Sequence, residues 1–149
     1  MFIKGEWCEA AGGKRFEVTN PATGEVITEV ADGGREDAAR AIDAASAAFA
    51  GWSGMTAYDR SRILYKAWEL MTARAGDIAR IMTTEQGKPL CAAPNEVRYG
   101  ADFLLWYAEE AKRVYGETIP APRADQRFIV LHQPVGVVAA ITPWNYPAS

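Results

Sequence analysis

Val135-Gly-Val-Val-Ala-Ala-Ile-Thr-Pro-Trp-Asn-Tyr-Pro147 is the stretch from which the fold is read. It opens on an apolar run, Val135 to Ile141, with no alternation, the pattern of a strand buried on both faces of a parallel sheet. That run leads directly into Thr142-Pro143-Trp144-Asn145-Tyr146-Pro147. A strand so continued delivers polar groups and an aromatic ring to the carboxyl end of the sheet, where open α/β folds place their ligands. Pro143 and Pro147 stiffen the backbone, and Asn145 between them carries a side-chain amide with two donor hydrogens. Two readings share this pattern, a ligand-binding turn and a rigid strand-to-helix connection.

Upstream, the period of the sequence changes several times. Glu17-Val-Thr19 and Glu25-Val-Ile-Thr-Glu-Val30 flank Asn20-Pro21-Ala22-Thr23-Gly24, where Asn-Pro starts a turn and Gly24 can take positive φ, which predicts a hairpin or a strand pair. From Arg35, Ala38, Ala41, Ile42, Ala45, Phe49 and Trp52 recur at helical spacing and predict a narrow, alanine-rich stripe able to pack closely against a neighbour, ending at Gly51 to Gly54. Thr56 and Asp59 form a variant capping box for a second helix with Ile63, Leu64, Ala67, Trp68 and Met71 on its buried face. A third, short helix carries Ile78, Ile81 and Met82 and stops at Gly87-Lys88-Pro89. A fourth begins near Pro94-Asn95-Glu96 and keeps phase through Val97, Ala101, Leu104, Leu105, Ala108, Ala111 and Val114, to about Tyr115. Glu117 to Ala121 and Arg127 to Gln133 then predict a second hairpin.

Composition bounds the function. The chain has 149 residues, 49% hydrophobic and 23% charged, within the range of one globular domain and outside that of disordered chains. With 16 Lys+Arg against 19 Asp+Glu the net charge is -3, so there is no basic footprint for nucleic acid or anionic lipid. The longest apolar run falls well short of the about 20 residues that cross a bilayer, and Met1-Phe-Ile-Lys-Gly-Glu6 does not read as a secretory signal. A cytoplasmic protein with no nucleic-acid or membrane partner is expected. Cys8, Cys91 and His132 are too few for a disulfide framework or a metal cluster, so no metal is expected.

Single residues offer little chemistry. There is no G-x-G-x-x-G, and Gly87-Lys88 lacks the upstream glycine of a phosphate loop. His132 falls in a predicted strand without a partner, and the two cysteines read as small, semi-buried hydrophobes. Glu109 and Glu110 are adjacent on a helix, so they point about 100° apart and read as a solvated surface.

Pro134 to Pro147 resembles the cofactor-binding strand and asparagine motif of the NAD(P)-dependent aldehyde dehydrogenases. Asn20-Pro-Ala-Thr-Gly-Glu-Val-Ile27, Asp59-Arg-Ser-Arg-Ile-Leu64, Thr84-Glu-Gln-Gly-Lys-Pro-Leu90 and Trp106-Tyr-Ala-Glu-Glu-Ala-Lys-Arg-Val-Tyr-Gly-Glu-Thr-Ile-Pro120 resemble the same family, in the same order. The likeness runs from Ile3 to Ser149 and is most similar to the succinate-semialdehyde dehydrogenase branch.

The resemblance implies an α/β fold: amino-terminal helices and the first strand of a Rossmann-type parallel sheet, plus a protruding β-hairpin, as an incomplete domain. Residues 1–116 and 134–149 would be the amino-terminal part of the NAD(P)-binding domain and 117–133 the hairpin of an oligomerisation region, with the catalytic domain absent. The implied reaction oxidises an aldehyde, succinic semialdehyde, to its carboxylate through a cysteine thioester, with NAD or NADP as cofactor. Asn145 matches the asparagine whose amide binds the aldehyde oxygen, where negative charge builds. Ile141, Thr142, Pro143 and Trp144 match the stretch along the nicotinamide and its ribose and phosphates. Neither cysteine matches the nucleophile, and the base glutamate has no counterpart, so the chain alone is expected to be inactive while its parent is a homo-oligomeric enzyme. The competing expectation is a catalytically silent fragment that acts only by subunit association.

Overall fold

The computed structural model describes residues 1–149 as three small antiparallel sheets and four helices. β1 (Phe2–Ile3) and β2 (Glu6–Trp7) form a hairpin around Lys4 and Gly5, with φ of 57° and 85°. Two successive positive φ values define the turn whose twist matches paired strands, and the facing rings of Phe2 and Trp7 sit 5.2 Å apart across it. Two-residue strands leave no period to count in the sequence.

The Asn-Pro turn behaves as predicted. β3 (Arg15–Thr19) pairs with β4 (Val26–Ala31), and the Asn20 side chain accepts the Ala22 N–H at 2.9 Å while its carbonyl accepts Gly24 N–H at 2.7 Å. Gly24 takes φ 76°, a conformation other residues enter only at a cost.

α1 (Arg35–Gly54) begins at a buried carboxylate. Asp37 accepts the N–H groups of Gly34 and Ala11, both at 3.0 Å, and pairs with Arg40 at 3.1 Å, which ties the amino-terminal segment to the helix. The Gly34 N–H above all, with Ala11 and Arg40, holds this carboxyl below the usual range against the upward push of burial. The expected close packing of the alanine stripe is not realised: Ala38, Ala41 and Ala45 are exposed and Ile42 is 56% exposed. Among the other elements the helix touches chiefly β1, which leaves that part of the stripe open.

α2 (Ala57–Ala73), α3 (Ala75–Gln86) and α4 (Ala93–Glu110) make the packed body. Thr56 caps α2 by accepting the Asp59 N–H at 3.1 Å and donating its hydroxyl to the Asp59 carboxylate at 2.6 Å, so the capping box is present. On α2, Leu64, Ala67, Trp68 and Met71 are half-buried, whereas Ile63 faces solvent, a correction to the predicted face. The core is Ala79, Met82, Ala93 and Val97, with Met71, Ala75, Ile78 and Ala148 against it. Small residues let α4 approach its neighbours closely, and Pro94 sits in its first turn, where a missing N–H costs nothing.

α4 ends sooner than its periodicity suggests, at Glu110, followed by a 3₁₀ turn over Ala111–Arg113. Val114 is exposed. The reason is the last hairpin, β5 (Glu117–Ile119) paired with β6 (Phe128–Val130). Its base must close: Gly116 lies against the Val130 carbonyl, which a Cβ would approach to 2.5 Å, and His132 Nδ1 donates to the Tyr115 carbonyl. Residues 114–116 are thereby drawn out of the helix. β6 is shorter than predicted, and His132 lies beyond it, exposed.

Val135 to Ile141 forms no strand here, and no backbone hydrogen bond of the chain involves it. Val135, Val138 and Ile141 are almost fully exposed. A parallel strand requires a neighbouring strand to hydrogen-bond, and none of β1 to β6 pairs with it. The whole molecule shares this openness. Its accessible surface is 11,329 Å², whereas a folded monomer of its 16.3 kDa exposes about 7,500 Å². No helix is long and apolar enough to cross a membrane.

Core and stripe therefore respond differently to truncation. Val97→Ala, at a fully buried position, is expected to lower stability by about 2 kcal/mol from lost transfer and cavity terms. Ile42→Ala should stay within about 0.5 kcal/mol. Urea unfolding followed by helical circular dichroism measures both, and equal effects would contradict this assignment of the core.

Candidate active site

Three stretches, two of them neighbours in sequence and the third about 50 residues further on, meet at the amino-terminal end of α4. The first is the end of α3. Gly87 closes that helix in the left-handed region, φ 81°, and lies against Pro21 of the turn between β3 and β4, whose Cγ a Cβ at Gly87 would approach to 2.9 Å. Lys88 follows at once, with Pro89 preventing any continuation of the helix. The second is the first turn of α4. Its buried stripe, Ala93, Val97, Gly100 and Ala101, is apolar except for Glu96, whose side chain is 3% exposed. The third is the chain's last turn, Trp144 to Pro147.

A carboxylate on a buried stripe must find partners, because desolvation of an unpaired charge is prohibitive. Glu96 finds two. One oxygen pairs with the ammonium of Lys88, itself only 16% exposed, and the other accepts the Ala148 N–H at 2.9 Å. Lys88 Nζ also donates to the Asn145 carbonyl at 3.2 Å and stands 4.1 Å from the centre of the Tyr146 ring, a cation-π contact. Burial pushes the Glu96 carboxyl up, but the hydrogen bonds from Lys88 and Ala148 and the Lys88 charge outweigh it and hold the group below the usual carboxylate range. The helix N-terminus adds a favourable field. Gly100, one turn along, gives the tail its seat: a Cβ there would lie 2.4 Å from the Ala148 carbonyl oxygen.

Asn145 is thus held by its backbone carbonyl while its side chain is exposed. Ile141, Thr142, Pro143 and Trp144 precede it as an open, exposed run, free of backbone hydrogen bonds. The five sequence-predicted residues therefore lie together on one surface. Lys88 and Glu96, which hold that turn, were not picked out as site residues from the sequence. The signal for Glu96 was its place in the apolar phase of the fourth helix, and for Lys88 the cap that immediately precedes it. Cys8 lies in the amino-terminal segment and Cys91 is exposed between α3 and α4. Glu110 pairs with Arg113 at 2.8 Å on the surface. No group of three or more His, Cys, Asp or Glu side chains is arranged to hold a metal ion.

Residues 7–149 match the aldehyde dehydrogenase family. The glutarate-semialdehyde dehydrogenase of Pseudomonas putida is 53% identical over 148 residues, covering 99% of this chain and 31% of that protein. Succinate-semialdehyde dehydrogenase [NADP(+)] GabD of Escherichia coli is 50% identical over 147 residues, covering 99% of the chain and 30% of that protein. Among solved structures, an Escherichia coli NADP-dependent enzyme superposes with a TM-score of 0.96 at 50% identity, over 99% of this chain and 31% of that one. A Pseudomonas syringae indole-3-acetaldehyde dehydrogenase solved with NAD+ superposes with a TM-score of 0.92 at 35% identity, over 99% and 30%. The chain belongs to the aldehyde dehydrogenase family. It spans about a third of the length of the relatives it matches, with the α/β fold of an incomplete domain.

The Glu96 contacts carry a pH dependence of definite sign. A carboxyl whose folded pKa is depressed contributes stability above its unfolded value, near 4.5, and loses it as pH falls through the folded one. The protection factor of the Ala148 amide, measured by hydrogen exchange, is expected to be constant near neutrality and to collapse in acid below the ordinary carboxylate range. Gly100→Ala should abolish that protection at every pH. A pH-independent protection factor would show that Glu96 does not hold the tail.

Proposed function

We propose that this chain supplies the oxyanion-binding side and the nicotinamide-facing wall of a semialdehyde dehydrogenase that acts in the cytoplasm with NAD or NADP. The observation that carries this reading is the presentation of Asn145 on an exposed turn whose backbone is clamped by a buried ion pair. An amide donor aimed at an aldehyde oxygen stabilises the charge that develops there when a nucleophile adds, and its effect depends on being held in place before the reaction. The names of the relatives, succinate- and glutarate-semialdehyde dehydrogenases, support a short aldehyde bearing a distal carboxylate, with succinic semialdehyde as the first choice.

The residues present fit part of a dinucleotide site. Ile141 and Trp144 offer exposed apolar surface for a ring, and Thr142 a hydroxyl beside it. The same run has no glycine cradle or cation for the phosphates, so it fits the nicotinamide end alone. The bound cofactor would accept the hydride; Ile141 to Trp144 would orient its ring and exclude water from one face.

By the same reading, residues 1–116 and 134–149 belong to a cofactor domain, and 117–133 is a hairpin through which subunits of a homo-oligomer associate. The nucleophile would be supplied by another part of the full-length enzyme. A second reading, a silent partner that works only by association, is favoured by one observation, the surface of 11,329 Å² where about 7,500 Å² is ordinary.

Activity separates the two. The isolated chain is expected to give no turnover of succinic semialdehyde with either cofactor, because it offers an oxyanion donor without an activated nucleophile. In a full-length dehydrogenase carrying residues 1–149 as its amino-terminal third, Asn145→Ala should lower kcat by about 100- to 1000-fold, the range for one lost oxyanion donor. Near-normal turnover of that variant would show Asn145 to be only a turn residue. Light scattering of the isolated chain is expected to show mass rising with concentration, since unpaired edges and apolar surface seek partners.

A further inference from the structure

We infer that Lys88 and Glu96 are positioning residues for Asn145: they hold its backbone in register with the helical body and so set where its amide points. This rests on the reading of Asn145 as the oxyanion donor and goes beyond it, because neither residue touches a reacting atom.

Four observations lead here. Residues 135–141 make no backbone hydrogen bond to any other part of the chain, so the turn is not fixed from its strand side. From the other side it is fixed three times over, by Lys88 on the Asn145 carbonyl, by the same ammonium against the Tyr146 ring, and by Glu96 on the Ala148 N–H. The two side chains that make these contacts neutralise one another away from water, at 16% and 3% exposure. Gly100 has no side chain at the point where any larger residue would lift Ala148 off the helix.

A buried pair of this kind adds little net stability compared with an apolar pair of the same volume. Its attested use is to specify one arrangement among several, and a directional clamp on the residue that carries the donor amide is such a use. Lys88 acts on Asn145 directly, and Glu96 acts both through Lys88 and through the tail two residues beyond Tyr146.

The test compares Lys88→Met, Lys88→Arg, Glu96→Gln and Asn145→Ala in the full-length dehydrogenase, with steady-state kinetics and hydrogen exchange of the 142–149 segment. Lys88→Met and Glu96→Gln are expected to lower kcat by about 10- to 100-fold, the scale of an ångström-level misplacement, with the KM values for aldehyde and cofactor unchanged. Lys88→Arg, which keeps a donor and a charge, should restore most of the rate. The Lys88→Met/Asn145→Ala double variant should be no slower than Asn145→Ala alone, because the clamp then has nothing to position. Exchange of the 142–149 segment should accelerate in Lys88→Met while α2 to α4 stay protected, which separates a released turn from an unfolded protein.

Losses that multiply in the double variant would overturn the proposal and leave Asn145 as the donor. So would a normal kcat in Lys88→Met, or failure of Lys88→Arg to recover activity in a folded protein. Full turnover by Asn145→Ala would instead overturn the oxyanion reading itself, and with it any positioning role; accelerated exchange in Lys88→Met would then mark the contact as structural.

Discussion

A buried carboxylate that must be paired is the constraint on which the candidate site depends. Glu96 lies on the stripe of α4 that packs into the helical body, among Ala93, Val97 and Gly100. Its desolvation is offset by Lys88 on one oxygen and a backbone N–H on the other. Removing one partner of such a pair costs about 3 to 5 kcal/mol, because the remaining charge stays buried and unpaired. The geometry therefore leaves little freedom: wherever Glu96 goes, Lys88 and the chain's last turn follow.

The rest of the fold reads as the means of bringing those three segments together. Gly87 ends α3 in a left-handed conformation and reverses the chain so that Lys88 faces back across the start of α4. The turn between β3 and β4 braces the same glycine through Pro21. Thr56 and Asp59 set the start of α2, which packs along α4 and keeps its buried stripe in place. Even the β5–β6 hairpin contributes, since closing its base at Gly116 and His132 determines where the chain leaves the helices on its way to the last turn.

Elsewhere the molecule is held far less firmly. Eleven of 149 residues are buried, and Val97 is the largest among the fully buried side chains. The body is therefore three helices joined by small residues, with α1 and the run from Val135 to Ile141 attached at their edges. Such a surface fits a chain that spans about a third of its relatives. The alanine stripe of α1 and the apolar run before the site remain exposed.

Local chemistry made much of this legible in the sequence. Asn20-Pro21 and Gly24 specify a hairpin turn, Thr56 and Asp59 a helix start, and Gly87-Lys88-Pro89 a helix end, because each is decided by contacts within a few residues. Periodicity likewise placed the four helices. What it could not place were outcomes set by contacts between distant residues: the end of α4 at Glu110, fixed by closure of a hairpin; the exposure of Ile42 and Ile63, fixed by what happens to lie opposite; and the lack of a strand over Val135 to Ile141, which depends on a neighbour that period alone does not supply. The joining of Lys88, Glu96 and the Asn145 turn belongs to the same class. A sequence can mark a carboxylate as misplaced on an apolar stripe, but only the tertiary structure decides which cation and which N–H, 8 and 52 residues away along the chain, relieve it.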